Sequence, residues 1–269
     1  ALGAKIWIQL FYEQLEQLNF IFHIPHSSDL IPADVRSHFS LTDQQLFEEL
    51  RLMTDWFTSD LFSSAVQELG VSIEFPISRL VVDPERFEDD AKEIMIKKGM
   101  GVLYTQTSSG TSLRDSSKTI GGYRDALLQE YYYPHHAALA SAVNSELDEH
   151  GRALIIDCHS YPNIALPYEL NRSLSRPDIC VGTDPFHTPK HLSGQLLSAF
   201  RDMGYSAEYD TPFSGSIVPT EYYGENKDVH SVMIEVNRSL YLNESTAEKL
   251  DTFGRLRSDI ASVLGSLSR

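Results

Sequence analysis

A chain of 269 residues, 42% hydrophobic and 22% charged, lies in the globular range and is long enough for one large domain, residues 1–269, with a substantial core. A net charge of -16 with no run of Lys or Arg argues against a nucleic-acid partner, because phosphate binding needs a basic surface. No apolar stretch nears the roughly 18 residues that cross a bilayer; the opening ALGAKIWIQLFYEQLEQL lacks a signal peptide's basic start, and the two cysteines, Cys158 and Cys180, read as free thiols, so a cytoplasmic protein without membrane attachment is expected.

In chain order, residues 6–18 read as a helix, and Phe20 to Ile24 as a short buried strand that Pro25 ends. The loop HIPHSSDLIP follows. From Thr42, a candidate N-cap, apolar residues recur at helical spacing through Leu46, Leu50, Met53, Phe57 and Leu61, predicting one long helix that Gly70 closes. Val71 to Phe75 and Leu80 to Val82 read as strands, and the polar stretch from Lys98 to Gly122 as a long surface loop. Residues 123–149 read as helix, Ala153 to Asp157 as strand, 189–203 as helix, Ser206 to Tyr209 and Val232 to Val236 as strands, and 245–265 as a closing helix. Strands alternating with helices predict an α/β fold with a largely parallel, covered sheet.

In such sheets functional groups collect beyond the carboxyl ends of strands. Four segments place ionisable residues there: His23 and His26, the run SRLVVDPERF at 78–87, IIDCHSYP at 155–162, and VMIEVNRSLY at 232–241. His26 is either a polar residue capping a strand end or a ligand. Asp157 and His159 continue an apolar run, where burying charge costs several kcal/mol unless a metal or partner compensates. Glu235 stands among Met233, Ile234 and Val236, which suits either a general base of raised pKa or an ion pair with Arg238. Asp55, between Thr54 and Trp56, is either a site carboxylate or a residue on the open side of an amphipathic helix.

Together with TDWFTSDLF at 54–62, VGTDPFHTP at 181–189, PFSGSIVP and HSVMIEVNRSLYLNE, these segments resemble the N-formylglutamate amidohydrolase family over nearly the whole chain, and more distantly the zinc carboxypeptidases. The resemblance implies a three-layer α/β fold, a mostly parallel mixed sheet with helices on both faces. It also implies zinc-dependent hydrolysis of N-formyl-L-glutamate to formate and L-glutamate, a step of histidine breakdown, with a small-molecule N-acyl amino acid as partner. Residue by residue it points to one zinc ion on His26, His159 and a carboxylate, with Glu235 as base and with Arg86, Arg79, Ser160 and Arg238 against the substrate. His159-Ser160-Tyr161 matches the second histidine segment of the carboxypeptidases, and Val82 to Arg86 their carboxylate-positioning segment. The carboxypeptidase spacing would put the metal carboxylate at Asp29; the family-like TDWFTSD segment puts it at Asp55, with Asp83 orienting His26 from behind. His23 lies three residues before His26 with Pro25 between them, and it stays outside the expected set. No GxSxG surrounds Ser160, which speaks against an acyl-enzyme. A deacylase or carboxypeptidase for another N-acyl amino acid, or a metal-binding homologue without activity, would carry the same residues.

Overall fold

The structure, a computed structural model, describes residues 18–267. The helix expected over residues 6–18 lies outside them but for its last residue. Strands β1 (Phe20–Ile24), β2 (Gly70–Glu74), β3 (Ala153–Tyr161), β4 (Ile179–Gly182), β5 (Ala207–Tyr209) and β6 (Val229–Asn237) form one sheet in the order β2-β1-β3-β6-β4-β5. The first four run parallel; β4 is antiparallel to β6 and parallel to β5, so the sheet is mixed and mostly parallel, as expected. All nine residues of β3 are buried, which is why this strand reads as an apolar run rather than an alternation.

Helices cover both faces. They are α1 (Ala33–Arg36), α2 (Asp43–Met53), α3 (Thr58–Leu69), α4 (Gly121–Leu127), α5 (Tyr133–His150), α6 (Lys190–Asp202) and α7 (Phe253–Gly265). On one face Phe22, Ile156, Val232 and Ile234 pack with Leu61 and Phe62 of α3, Leu196 and Phe200 of α6, and Ile260 and Leu264 of α7. On the other, Ile21, Ile155 and Val229 pack with Leu139 and Val143 of α5. Each such side chain taken from water stabilises the fold by about 1.5–3 kcal/mol. Side chains alternate across a strand, so if residues 156 and 232 point to α3 and α7, then His23, Asp157, His159 and Glu235 share the α5 side.

Several elements differ from the sequence expectation. The long helix from Thr42 is two helices: Thr42 caps α2 through a capping box with Gln45, and the chain breaks at residues 54–57, with Phe57 left-handed at φ 61°. A non-glycine residue there costs about 1–2 kcal/mol, offset by bonds the break gains: Asp55 N–H to His26 O at 2.9 Å and the Tyr241 hydroxyl to Trp56 O at 2.8 Å. Leu80 to Val82 are buried but form a turn, because Arg114, buried behind them, donates to the carbonyls of Leu80 and Val81. The stretch from Lys98 to Gly122 is a surface loop only in part: residues 109–112 and most of 115–122 are exposed, but Met100, Val102, Leu103, Tyr104 and Leu113 join a third buried cluster with Phe75 and Val82. The helix over 123–149 carries a π turn at Leu128–Tyr132 between α4 and α5. The closing helix begins only at Phe253, after a small hairpin of β7 (Leu242–Asn243) and β8 (Glu248–Lys249). Both cysteines are free and buried, and no helix among the described residues is long and apolar enough to cross a membrane.

Candidate metal centre and substrate pocket

Register brings the ionisable residues together. His23 lies opposite Asp157 across β1 and β3, and His159 opposite Glu235 across β3 and β6. In parallel strands about 4.8 Å apart, these are side-by-side pairs on one face. The loop after β1 returns His26 to the same end, and the break between α2 and α3 delivers Asp55, tied by its backbone to His26.

Asp55 Oδ2 lies 3.1 Å from His159 Nδ1 and 3.8 Å from His26 Nδ1. Glu85 stands across from it, Oε1 at 3.1 Å from His159 Nε2 and Oε2 at 3.8 Å from His26 Nδ1. Among the described residues, donor atoms of His26, Glu85 and His159 all fall within 4.8 Å of one another, as do those of His23, Glu85 and Asp157. His26 Nε2 meets Asp83 Oδ1 at 2.9 Å, which leaves Nδ1, buried and without a hydrogen-bond partner, facing the centre. Asp29 and Asp55 both stand outside these two groups, but Asp55 is buried against both histidines whereas Asp29 is exposed, so the carboxypeptidase spacing does not carry over to Asp29.

The charges here are strongly perturbed. Burial and the Arg79 guanidinium lower the His26 pKa, which keeps a lone pair on Nδ1. Burial works against the His159 imidazolium, but Glu85, Asp157 and the hydrogen bonds to Asp157 and Asp55 outweigh it and hold the pKa well above the usual histidine range. The Asp55 carboxyl sits below its ordinary range because His159 and Arg238 overcome the penalty of burial. Glu235 is pushed up to about 8 by burial, with Asp55 and Glu85 assisting against His159. Its Oε2 has no hydrogen-bond partner, so the ion pair with Arg238 is not formed.

That last shift has a sign. A carboxyl whose folded pKa exceeds its unfolded value near 4.5 costs stability as pH rises from about 4.5 through about 8, since the folded state holds the proton longer. In chelator-treated protein, Glu235→Gln should therefore melt close to the parent at pH 5.5 and at least about 2 °C above it at pH 8.5. Equal differences in Tm at both pH values would show that Glu235 carries no such burden.

The substrate-facing candidates divide. They line a cavity of about 430 Å³ that also includes His26, Asp55, His159 and Glu235. Arg79 is engaged with Asp83, Nη2 to Oδ2 at 2.9 Å, and Nε lies 3.2 Å from the Tyr104 hydroxyl. Arg86 keeps a buried Nε without a partner, 3.8 Å from Asp83 Oδ2, and its carbonyl accepts from the Tyr132 hydroxyl at 3.0 Å. Arg238, by contrast, donates to Leu52 O at 2.6 Å, Asp55 Oδ1 at 2.9 Å, Ser160 O at 3.1 Å and Ser160 Oγ at 3.2 Å. This guanidinium holds the Asp55 break against β3, and the Ser160 hydroxyl is held with it. Sequence reasoning missed Glu85, although it lies inside the SRLVVDPERF segment, and Tyr104, whose polar neighbourhood carried no signal.

The sequence profile of a family described as N-formylglutamate amidohydrolase matches residues 18–242. An N-formylglutamate deformylase of Pseudomonas putida is 27% identical over 239 residues, covering 85% of this chain and 84% of that one. Among solved structures, an N-formylglutamate amidohydrolase from Ralstonia eutropha JMP134 superposes with a TM-score of 0.78 at 22% identity, covering 93% of each chain. A gene product of Agrobacterium tumefaciens superposes at 0.69 with 13% identity, over 95% of this chain and 92% of that one.

Proposed function

We propose, from the premise that the chain belongs to the N-formylglutamate amidohydrolase family, that it hydrolyses the amide of N-formyl-L-glutamate to formate and L-glutamate with the help of one bound zinc ion. The observation that carries this reading is the convergence of His26 Nδ1 and His159 Nδ1 on Asp55 Oδ2, with Glu235 in register beside His159.

The residues fit the ion. Zinc bonded at about 2.0–2.1 Å to N and O places neighbouring ligand atoms about 3.3 Å apart in a tetrahedron, and the separations of 3.1 and 3.8 Å bracket that value. The unpartnered Nδ1 of His26 is the atom such an ion would satisfy. Glu85 is the competing carboxylate. Asp55 is favoured because Asp157 already lies against His159 Nε2, at 3.1 Å, leaving Nδ1 as the ligating atom. When bound, zinc would polarise the formyl carbonyl and lower the pKa of water from about 16 toward 7. Glu235 would accept the proton from the attacking water and deliver it to the departing amine. Arg86, with Arg79 behind it, would take a substrate carboxylate through two parallel hydrogen bonds. Arg238 and Ser160 hold Asp55 rather than the substrate.

The test is formate release from a small panel of N-acyl amino acids, alongside metal analysis of the purified protein. One zinc per chain, activity lost to a chelator and regained with zinc, and N-formylglutamate preferred is the expected result; metal-loaded protein inert across the panel would favour a binding homologue. A second reading, hydrolysis of a bulkier N-acyl amino acid, draws on the cavity's volume of about 430 Å³ and on Phe87, Ile94 and Met95 along its wall. The same panel separates the two by which substrate gives the highest kcat/KM.

Lys cannot reproduce the planar fork of Arg86, so Arg86→Lys is expected to raise KM for N-formylglutamate about tenfold or more with kcat less affected. If the parent enzyme hydrolysed an α-amidated analogue as well as N-formylglutamate itself, no carboxylate clamp operates there.

A further inference from the structure

His26 and His159 are each backed by an aspartate, and the two aspartates are held differently. Asp83, behind His26, is fixed by Arg79 at 2.9 Å, by the backbone N–H of Glu85 at 3.0 Å and by the Tyr104 hydroxyl. Asp157, behind His159, takes the Ile217 N–H on Oδ2 at 3.0 Å. On Oδ1 it meets His159 Nε2 at 3.1 Å and His23 Nδ1 at 2.8 Å, so where Asp83 has a guanidinium Asp157 has an imidazole. His23 is itself backed, Nε2 to Nε2 at 2.9 Å, by His135 of α5, whose ring stands edge-on to Phe75. Two nitrogens at that distance share one proton. With the Asp157 carboxylate accepting, the consistent assignment is His135 Nε2–H to His23 Nε2, His23 Nδ1–H to Asp157, and His159 Nε2–H to Asp157, and it leaves Nδ1 of His159 facing Asp55.

We propose that His23 and His135 are positioning residues. The buried chain His135–His23–Asp157–His159 fixes the orientation and tautomer of the His159 ring and so sets the affinity of the metal centre from two residues away. This rests on the metal-hydrolase reading above. Outer partners of this kind typically change metal affinity by about 10- to 100-fold. Helix α5 and its π turn brace the same region. Tyr132 donates to Arg86 O at 3.0 Å and His136 to Pro84 O at 2.9 Å, so one helix start holds both the SRLVVDPERF segment and His23. His23 also lies 3.7 Å from Glu85 Oε1 and shares a donor group with Glu85 and Asp157. In that assignment its Nδ1 carries a proton toward Asp157 and its Nε2 lone pair accepts from His135, which leaves none for an ion of its own, whereas His159 Nδ1 faces only a carboxylate.

The experiment is zinc affinity of the full chain, by competition with a chromophoric chelator, with stoichiometry by elemental analysis. The parent should bind one zinc; His23→Leu should weaken binding about 10- to 100-fold; His23→Asn, whose amide N–H stands near the place of Nδ1, should recover most of the loss. Should His23→Leu not fold, His135→Leu against His135→Gln reads the same chain one residue further out, with affinity lost in the first and kept in the second. Affinity within about twofold of the parent in the Leu variants, or Asn no better than Leu at 23, would overturn the proposal, as would two zinc ions in the parent and one in His23→Leu. A parent that binds no zinc would instead sink the metal-hydrolase reading beneath it.

Discussion

Glu235→Gln is expected to keep the fold and the metal and to lower kcat for N-formylglutamate by about a hundredfold or more, because a positioned general base commonly contributes factors of about 10² to 10⁴. Gln matches Glu in size and keeps an acceptor oxygen, so packing between β3 and β4 is preserved; what it loses is basicity. The carboxylate stands in register with His159, and its Oε2 has no hydrogen-bond partner, a state that costs free energy and that a structural glutamate would have relieved. Burial raises its pKa to about 8, and positive charge placed beside it brings that value down toward the range where it accepts a proton at neutral pH. The measurement is steady-state formate release with metal content and circular dichroism on the same preparation. Turnover near that of the parent, with zinc retained, would remove Glu235 from the role of base.

The central strands were legible because covered parallel strands leave continuous apolar runs, and both Phe20–Ile24 and the run through Ile155 and Ile156 did so. The candidate residues Asp157, His159 and Glu235 stood out from such runs, since ionisable groups stood where apolar ones were due; the roles proposed for the site came from the family resemblance. What stayed hidden depends on contacts distant in sequence. The apolar spacing 46, 50, 53, 57, 61 passes unbroken through the interruption that carries Asp55, because that interruption is made by His26, Tyr241 and Arg238 from elsewhere in the chain. β4 has four residues, too few for a periodic signal, yet it is the strand that makes the sheet mixed. Val102, Tyr104 and Arg114 sit in a stretch of polar composition and are nonetheless buried. His23 was obscured by Pro25. It stays outside the expected set, and its partners, Asp157 and His135, lie 134 and 112 residues away.

His159→Ala is expected to abolish stoichiometric zinc and, with it, all activity above background. A catalytic zinc takes three protein ligands, so losing one of two histidines leaves a site that no longer competes with a chelator. The substitution also strips Asp157, Asp55 and Glu85 of the imidazole they share, so its Tm should fall, and circular dichroism is needed to show that the loss of metal is not loss of the fold. Two milder variants then sort the carboxylate. Asp55 Oδ2 faces both Nδ1 atoms and Arg238 balances its charge, whereas Glu85 is the more exposed and reaches His159 only at Nε2. Asp55→Asn should therefore weaken zinc binding far more than Glu85→Gln does. The reverse order would make Glu85 the ligand and reduce Asp55 to orienting His159. Full zinc occupancy with intact activity in His159→Ala would place the centre elsewhere altogether, and elemental analysis of that one variant decides it.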